Sequence, residues 1–374
     1  MLFLAFRCAR LLLLTITIGV CAASTLSAQQ IAAPTRGRVP VERRIWPAAI
    51  EVPANSLDIT IVEEKPAERR YVYRSKAFQF TSQDKLAGSV MRDIARTFEA
   101  TRSLMQALPW GLEPRPPADL GFFQSKLFVT RDEYIADGDP ENSGGVYSGT
   151  DRIFRIPFPS LGLEKRGSFW FKNPGFKEAT LVHEITHQMM HDFLPFLPMW
   201  VTEGTAEYTE ALPYSAGKFS AAYHEHGVRT YMKRWRERGI FPMRFRAFSK
   251  HMTMNHEQWE SLAKVPEQQA VLYYQSLMLA YYFCHLDGDG KGTRFLKYLD
   301  AIAKARDDWQ EFFKNPAVVK TEEGYRYPNS LKPPAAKRGE EYGLEIVSIL
   351  LDGRSPTEMD AAVKAGFRKM NINL

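Results

Sequence analysis

Residues 180–210 read TLVHEITHQMMHDFLPFLPMWVTEGTAEYTE, and this stretch limits what the chain can fold into more than any other. His183 and His187 stand four residues apart, so a helix places both on one face about a turn apart. Leu181, Val182, Ile185 and Met189 flank them, which predicts a buried helix that carries polar groups. Burying such groups without partners is costly, and a metal ion is a partner that suits two imidazoles at this spacing. Pro195 and Pro198 then stop the helix, and the chain restarts with Thr202 as the expected N-cap before Glu203. A helix, a tight break and an acid-bearing second helix bring a third, oxygen ligand back to the two imidazoles. An amphipathic helix with two solvated histidines is the alternative.

His183-Glu184-Ile185-Thr186-His187 is the H-E-x-x-H pattern, in which the Glu faces the open position of a bound metal and can take a proton from water. "HEITH" followed by "PMWVTEGTAEY" is similar to the gluzincin metallopeptidases of the MA clan. That resemblance implies one Zn²⁺ held by His183, His187 and Glu203, with Glu184 as general base. It also implies that Glu207, one turn after Glu203, orients a ligand imidazole. His191 is a rival third ligand, but an unbroken helix rotates it about 80–100° from His183 and carries it about 12 Å along the axis. No glycine in "HQMMH" turns the chain back, so His191, Asp192 and Glu210 are expected to stand outside the site.

A hydrolase of this kind also needs a donor for the oxyanion. Tyr273-Tyr274-Gln275-Ser276 resembles the Y-x-x-G/S segment of gluzincins related to the aminopeptidases, which makes Tyr273 the first choice and Tyr274 the reserve. Tyrosines on an apolar helix also serve as core residues with hydrogen-bonded hydroxyls. "SGGVYS" places Gly145, Val146 and Tyr147 where an edge strand can pair with an extended peptide, and the clan resemblance supports this reading. A plain hairpin turn at Gly144 and Gly145 is the other reading.

Around this centre the pattern predicts an α+β domain, strands first and helices later. "YVYRSKAFQFTS" at 71–82 alternates like paired strands, 83–108 has helical spacing up to Pro109, and "SKLFVT" at 125–130 reads as a buried strand with a helical turn after it. A hairpin is expected over 143–161, helices from 176 to about 313, a loop over 314–340 and two closing helices. "RSKAFQFTS", "ARTFEATRSLMQALP", "KLFVTRDEYIADG" and "YYQSLMLAYYFCHL" resemble a peptidase-MA-like family of exported domains of unknown function, over residues 70–310. The resemblance implies a zincin-like fold: a small mixed N-terminal sheet with an edge strand, then a mainly helical part. The expected divisions are a signal peptide (1–28), a Pro-rich lead-in (29–67), the catalytic domain (68–313) and C-terminal helices packed on it (314–374).

Arg7 and Arg10 precede the apolar run Leu11–Val20 and the small-residue stretch "CAASTLSA", as in a secretory signal cleaved after Ala23 or Ala28. The run is shorter than the ~20 residues that span a bilayer, which disfavours an uncleaved anchor, and no later stretch is apolar enough to cross. A periplasmic or secreted location follows. Cys8 and Cys21 lie in the signal, so Cys284 alone remains and a core must supply stability. The formal charge of +6 falls to +4 without Arg7 and Arg10, too thinly spread to predict a nucleic-acid partner.

Three features stay outside this reading. "DGDGKG" at 287–292 has Asp287 and Asp289 at the spacing of a calcium loop, but Tyr298 stands where the bidentate Glu belongs, so a surface turn is expected. His224 and His226 of "YHEHG" are expected to be solvated, and "RTYMKRWRERG" at 229–239 to be a charged helix face. The expected partner is a peptide or protein substrate. A zinc-bearing envelope domain that binds peptide or cell-wall components without cleaving them, and a metal-free helical scaffold, are the alternatives.

Overall fold

Arg70–Arg74 and Phe78–Ser82 pair antiparallel with Tyr73 opposite Phe80, as the alternation over 71–82 predicts. The computed structural model describes residues 38–141, 143–237, 244–321 and 324–374. The expected signal peptide lies outside the described residues, as does the start of the lead-in. Val39–Leu374 forms one compact unit.

Six strands make a mixed sheet in the order Thr60–Lys65, Arg70–Arg74, Phe78–Ser82, Phe123–Phe128, Ile153–Pro157, Val146–Ser148. Phe78–Ser82 and Phe123–Phe128 are parallel, as are Phe123–Phe128 and Ile153–Pro157, and the other pairs are antiparallel. The parallel step from Phe78–Ser82 to Phe123–Phe128 requires a crossover, which helix Gly88–Ala107 supplies. Its apolar stripe packs on the sheet, with Phe98 edge-on to Phe80 at 5.0 Å and to Phe78 at 5.2 Å. Leu108 turns extended before Pro109, because a residue preceding proline is driven out of the helical region.

The rest is mostly helical. Ala179–Met189, Met199–Ala211, His224–Glu237, His256–Ala263, Pro266–His285 and Thr293–Phe313 follow the sheet. We call the first two the histidine and glutamate helices and Pro266–His285 the tyrosine helix. The glutamate and tyrosine helices press together at Gly204, where a Cβ would lie 2.6 Å from the Ser276 carbonyl oxygen. Only glycine allows that approach without displacing backbone. Cys284, the one cysteine among the described residues, is buried in the tyrosine helix, and burial pushes its thiol well up. No helix among the described residues is long and apolar enough to cross a membrane.

Several local expectations are corrected. Thr60–Lys65, expected in the lead-in, is an outer strand of the main sheet, so a division at 67/68 cuts its hairpin with Arg70–Arg74. Further back, Ile50–Glu51 pairs with Lys218–Phe219, and Arg44 meets Asp300 at 2.7 Å. The glutamate helix begins at Met199 with Pro198 as N-cap, and Thr202 lies inside it. Pro198 is extended there and cannot extend the helix backwards, and its carbonyl accepts from Val201 and Thr202. The expected loop at 314–340 contains a hairpin, Val319–Thr321 with Gly324–Arg326. Asp287 of "DGDGKG" is buried and gripped by Arg354 at 2.9 Å and Arg294 at 3.0 Å, so its carboxylate is engaged by two guanidinium groups, while Asp289 is exposed as a surface turn requires. His224 is half-buried and stacks on His285, rings parallel within 4° and 3.8 Å apart.

Candidate metal centre

The histidine helix is fastened on two sides. Thr186 Oγ1 donates to the Val182 carbonyl within the helix and lies 2.7 Å from Thr209 Oγ1 of the glutamate helix. Gln188 Nε2 donates to the Gln124 carbonyl of the sheet. One face of the helix therefore looks at the glutamate helix, and the sheet borders another. His183 and His187 project from the first of these, ring centroids 4.7 Å apart and planes at 81°.

Glu203 comes back to them from the first turns of the glutamate helix. Its Oε2 lies 3.2 Å from His183 Nε2 and 3.4 Å from His187 Nε2, and the two nitrogens are 3.0 Å apart. Oε2 is buried and finds no well-directed hydrogen-bond donor. These three ligand atoms, one of them a buried and unpartnered oxygen, form a group able to hold a metal ion. Burial would raise the Glu203 carboxyl, but His187 and His183 outweigh it and hold it down to about 2. Burial likewise opposes charge on His183, yet Glu203, Glu210 and Glu207 keep that imidazole well above its ordinary range. Without a cation, these groups stabilise one another by charge.

Glu207 lies on the far side of His183, its Oε1 3.5 Å from Nδ1. Glu210, expected to be a bystander, stands at the same 3.5 Å from the same nitrogen through Oε2. The signal was present in the sequence, since 203, 207 and 210 have the i, i+4, i+7 spacing of one helix face. Burial, and then the charge of Glu210, push Glu207 up to about 8. Tyr231 donates its hydroxyl to Glu207 Oε2, a contact between two helices that no local pattern marks.

Glu184 lies beside the two imidazoles, its carboxylate facing the backbone N–H of Tyr147. Burial raises its carboxyl, while His183, His187 and the Tyr147 N–H oppose the shift. Tyr147 is in the outermost strand, Val146–Ser148, whose other edge pairs with Ile153–Pro157. Gly145 precedes that strand and packs tightly, since a Cβ would lie 3.1 Å from the Arg155 carbonyl oxygen. Tyr273 is half-buried with its ring 6.3 Å from that of His183. The charge of Glu203 and then burial push its hydroxyl well up. Tyr274, the reserve, is buried in the core and stacks on Phe245 at 5.6 Å. His191 pairs with Asp192 at 2.9 Å and joins neither trio of potential metal ligands. No protein-family model matches the chain, and no curated protein matches it.

Proposed function

We propose that the chain is an exported zinc-dependent peptidase of gluzincin type on a zincin-like scaffold. The observation that carries the reading is the triangle of His183 Nε2, His187 Nε2 and Glu203 Oε2, with edges of 3.0, 3.2 and 3.4 Å. Tetrahedral zinc with bonds of about 2.0–2.1 Å to nitrogen and oxygen keeps its ligands about 3.3 Å apart. The donor set also fits zinc, because imidazoles are poor ligands for calcium or magnesium. Zn²⁺ bound there supplies Lewis acidity and charge stabilisation at a peptide carbonyl.

The chain's own groups supply the rest. Glu184 takes a proton from the attacking water as the new C–O bond forms. It then delivers that proton to the amine nitrogen as the C–N bond breaks. The Tyr273 hydroxyl, kept protonated by the carboxylates around it, donates a hydrogen bond to the carbonyl oxygen as charge develops. The open edge of Val146–Ser148 offers backbone groups to an extended peptide, beside Glu184.

The test is zinc content and peptide cleavage in the purified protein with and without a chelator. One bound Zn²⁺ and chelator-sensitive cleavage support the reading. Absence of zinc from protein prepared with zinc supplied ends it, and zinc without cleavage turns it into a binding domain.

A further inference from the structure

Helix His224–Glu237 reaches the cluster from a side that peptide hydrolysis does not use. Tyr231 and Arg234, three residues apart, face Glu207 and Glu210, three residues apart on the glutamate helix. Tyr231 donates to Glu207 Oε2, and Arg234 Nη1 stands 3.9 Å from Glu210 Oε1. The Arg234 guanidinium also lies 5.2 Å from the centre of the Tyr231 ring. The remaining oxygens, Glu207 Oε1 and Glu210 Oε2, each stand 3.5 Å from one atom, His183 Nδ1. All four side chains, with Thr180 and Trp235, line a cavity of 170 Å³.

An imidazole whose Nε2 faces a cation keeps a single proton, on Nδ1. One N–H serves one carboxylate, so a second at equal distance adds repulsion unless its other oxygen meets positive charge. Arg234 provides that charge, and Tyr231 fixes the first carboxylate from behind. The trio His183, Glu207 and Glu210 also has the spacing of a second cation site. Arg234 already supplies the cation there, and Nδ1 has no lone pair to give while it carries its proton.

We infer that Glu210 is a second positioning residue for His183, and that Tyr231 and Arg234 form a clamp holding both carboxylates on Nδ1. Nδ1 is buried and makes a well-directed hydrogen bond to neither carboxylate, so the clamp holds both within reach, and whichever one the N–H closes on fixes the imidazole plane and increases its electron donation through Nε2. The helix carrying the clamp thereby sets metal affinity without touching metal or substrate. This inference rests on the zinc reading above.

The experiment measures the Zn²⁺ dissociation constant of the purified chain by competition with a chromophoric chelator. Wild type is compared with Glu210→Gln, Arg234→Ala and Arg234→Lys, and melting of each metal-free chain checks the fold. Glu210→Gln is expected to weaken zinc by about 10–100-fold, the usual effect of losing an outer-shell partner. Arg234→Ala weakens it in the same direction, and Arg234→Lys restores most of the loss, with metal-free melting close to wild type throughout. Unchanged affinity in Glu210→Gln and Arg234→Ala overturns the inference alone, as does a lowered melting temperature with unchanged affinity. If Glu210→Gln does not fold, equal affinities for Arg234→Ala and Arg234→Lys overturn it. A wild-type chain that binds no Zn²⁺ overturns both this inference and the zinc reading.

Discussion

The backbone N–H of Tyr147 faces the carboxylate of Glu184, so the outermost strand of the sheet borders this acid beside the two imidazoles. A side chain set against the strand along which a peptide would lie is placed to act on that peptide. Glu184→Gln keeps the size and an oxygen for Tyr147 but cannot accept a proton. We expect kcat to fall by about 10²–10⁴-fold, with KM and zinc content close to wild type. Steady-state kinetics on a peptide substrate checks this, and an undiminished kcat ends the role of Glu184 as base.

Metal removal has a structural cost of its own. Without a cation, Glu203 Oε2 remains buried and unpartnered between two imidazoles. Zinc at 100 times its dissociation constant stabilises the fold by about 2.7 kcal/mol. Calorimetry should therefore show a lower melting temperature after chelation, restored by Zn²⁺ and not by Mg²⁺. Identical melting curves with and without chelator would contradict this.

Gly204 sits next to Glu203 and against Ser276 of the tyrosine helix. Gly204→Ala forces the two helices apart, at an expected cost of about 1–3 kcal/mol. Glu203 and Tyr273 lie on opposite sides of that contact, so zinc affinity should weaken along with stability. Chemical denaturation and zinc competition on the same preparation read both effects.

His251 governs part of the acid limb of stability. Burial, and then the nearby Arg246, hold its imidazole down to about 3, against an ordinary value of 6.5. Between those values the unfolded chain binds the extra proton, so stability rises with pH. The contribution is fully present above about pH 6.5 and is lost as pH falls toward 3, by up to about 1.4 kcal/mol per pH unit. His251→Gln keeps a donor for Ser276, which His251 meets at 2.9 Å, and removes the titration. Urea midpoints between pH 4 and 7 should vary less steeply in that variant.

Much of the framework was legible because it rests on local rules. The alternation at 71–82, the helical spacing of 83–108 and the helical turn after 125–130 all lie within short windows. The histidine pair and Glu203 were visible too, since two helices and a proline break fix their relation. Thr60–Lys65 stayed hidden because its side chains are mostly exposed, so no period-two apolar signal marks it. Glu210 was passed over although its spacing from Glu203 and Glu207 places it on their face. Tyr231 and Arg234 sit in a stretch rich in basic residues that reads as solvated, and only packing shows which of them turn inward.

Cys284 gives the folded chain a built-in timer. It lies on the same helix as Tyr273, fully buried, with a thiol that burial keeps protonated. Only the thiolate reacts quickly with alkylating reagents, so modification waits until that helix leaves the core. With Cys8 and Cys21 replaced by serine, the labelling rate of Cys284 counts how often the interior around the tyrosine helix opens. Adding Zn²⁺ should slow the count, with no probe grafted onto the protein.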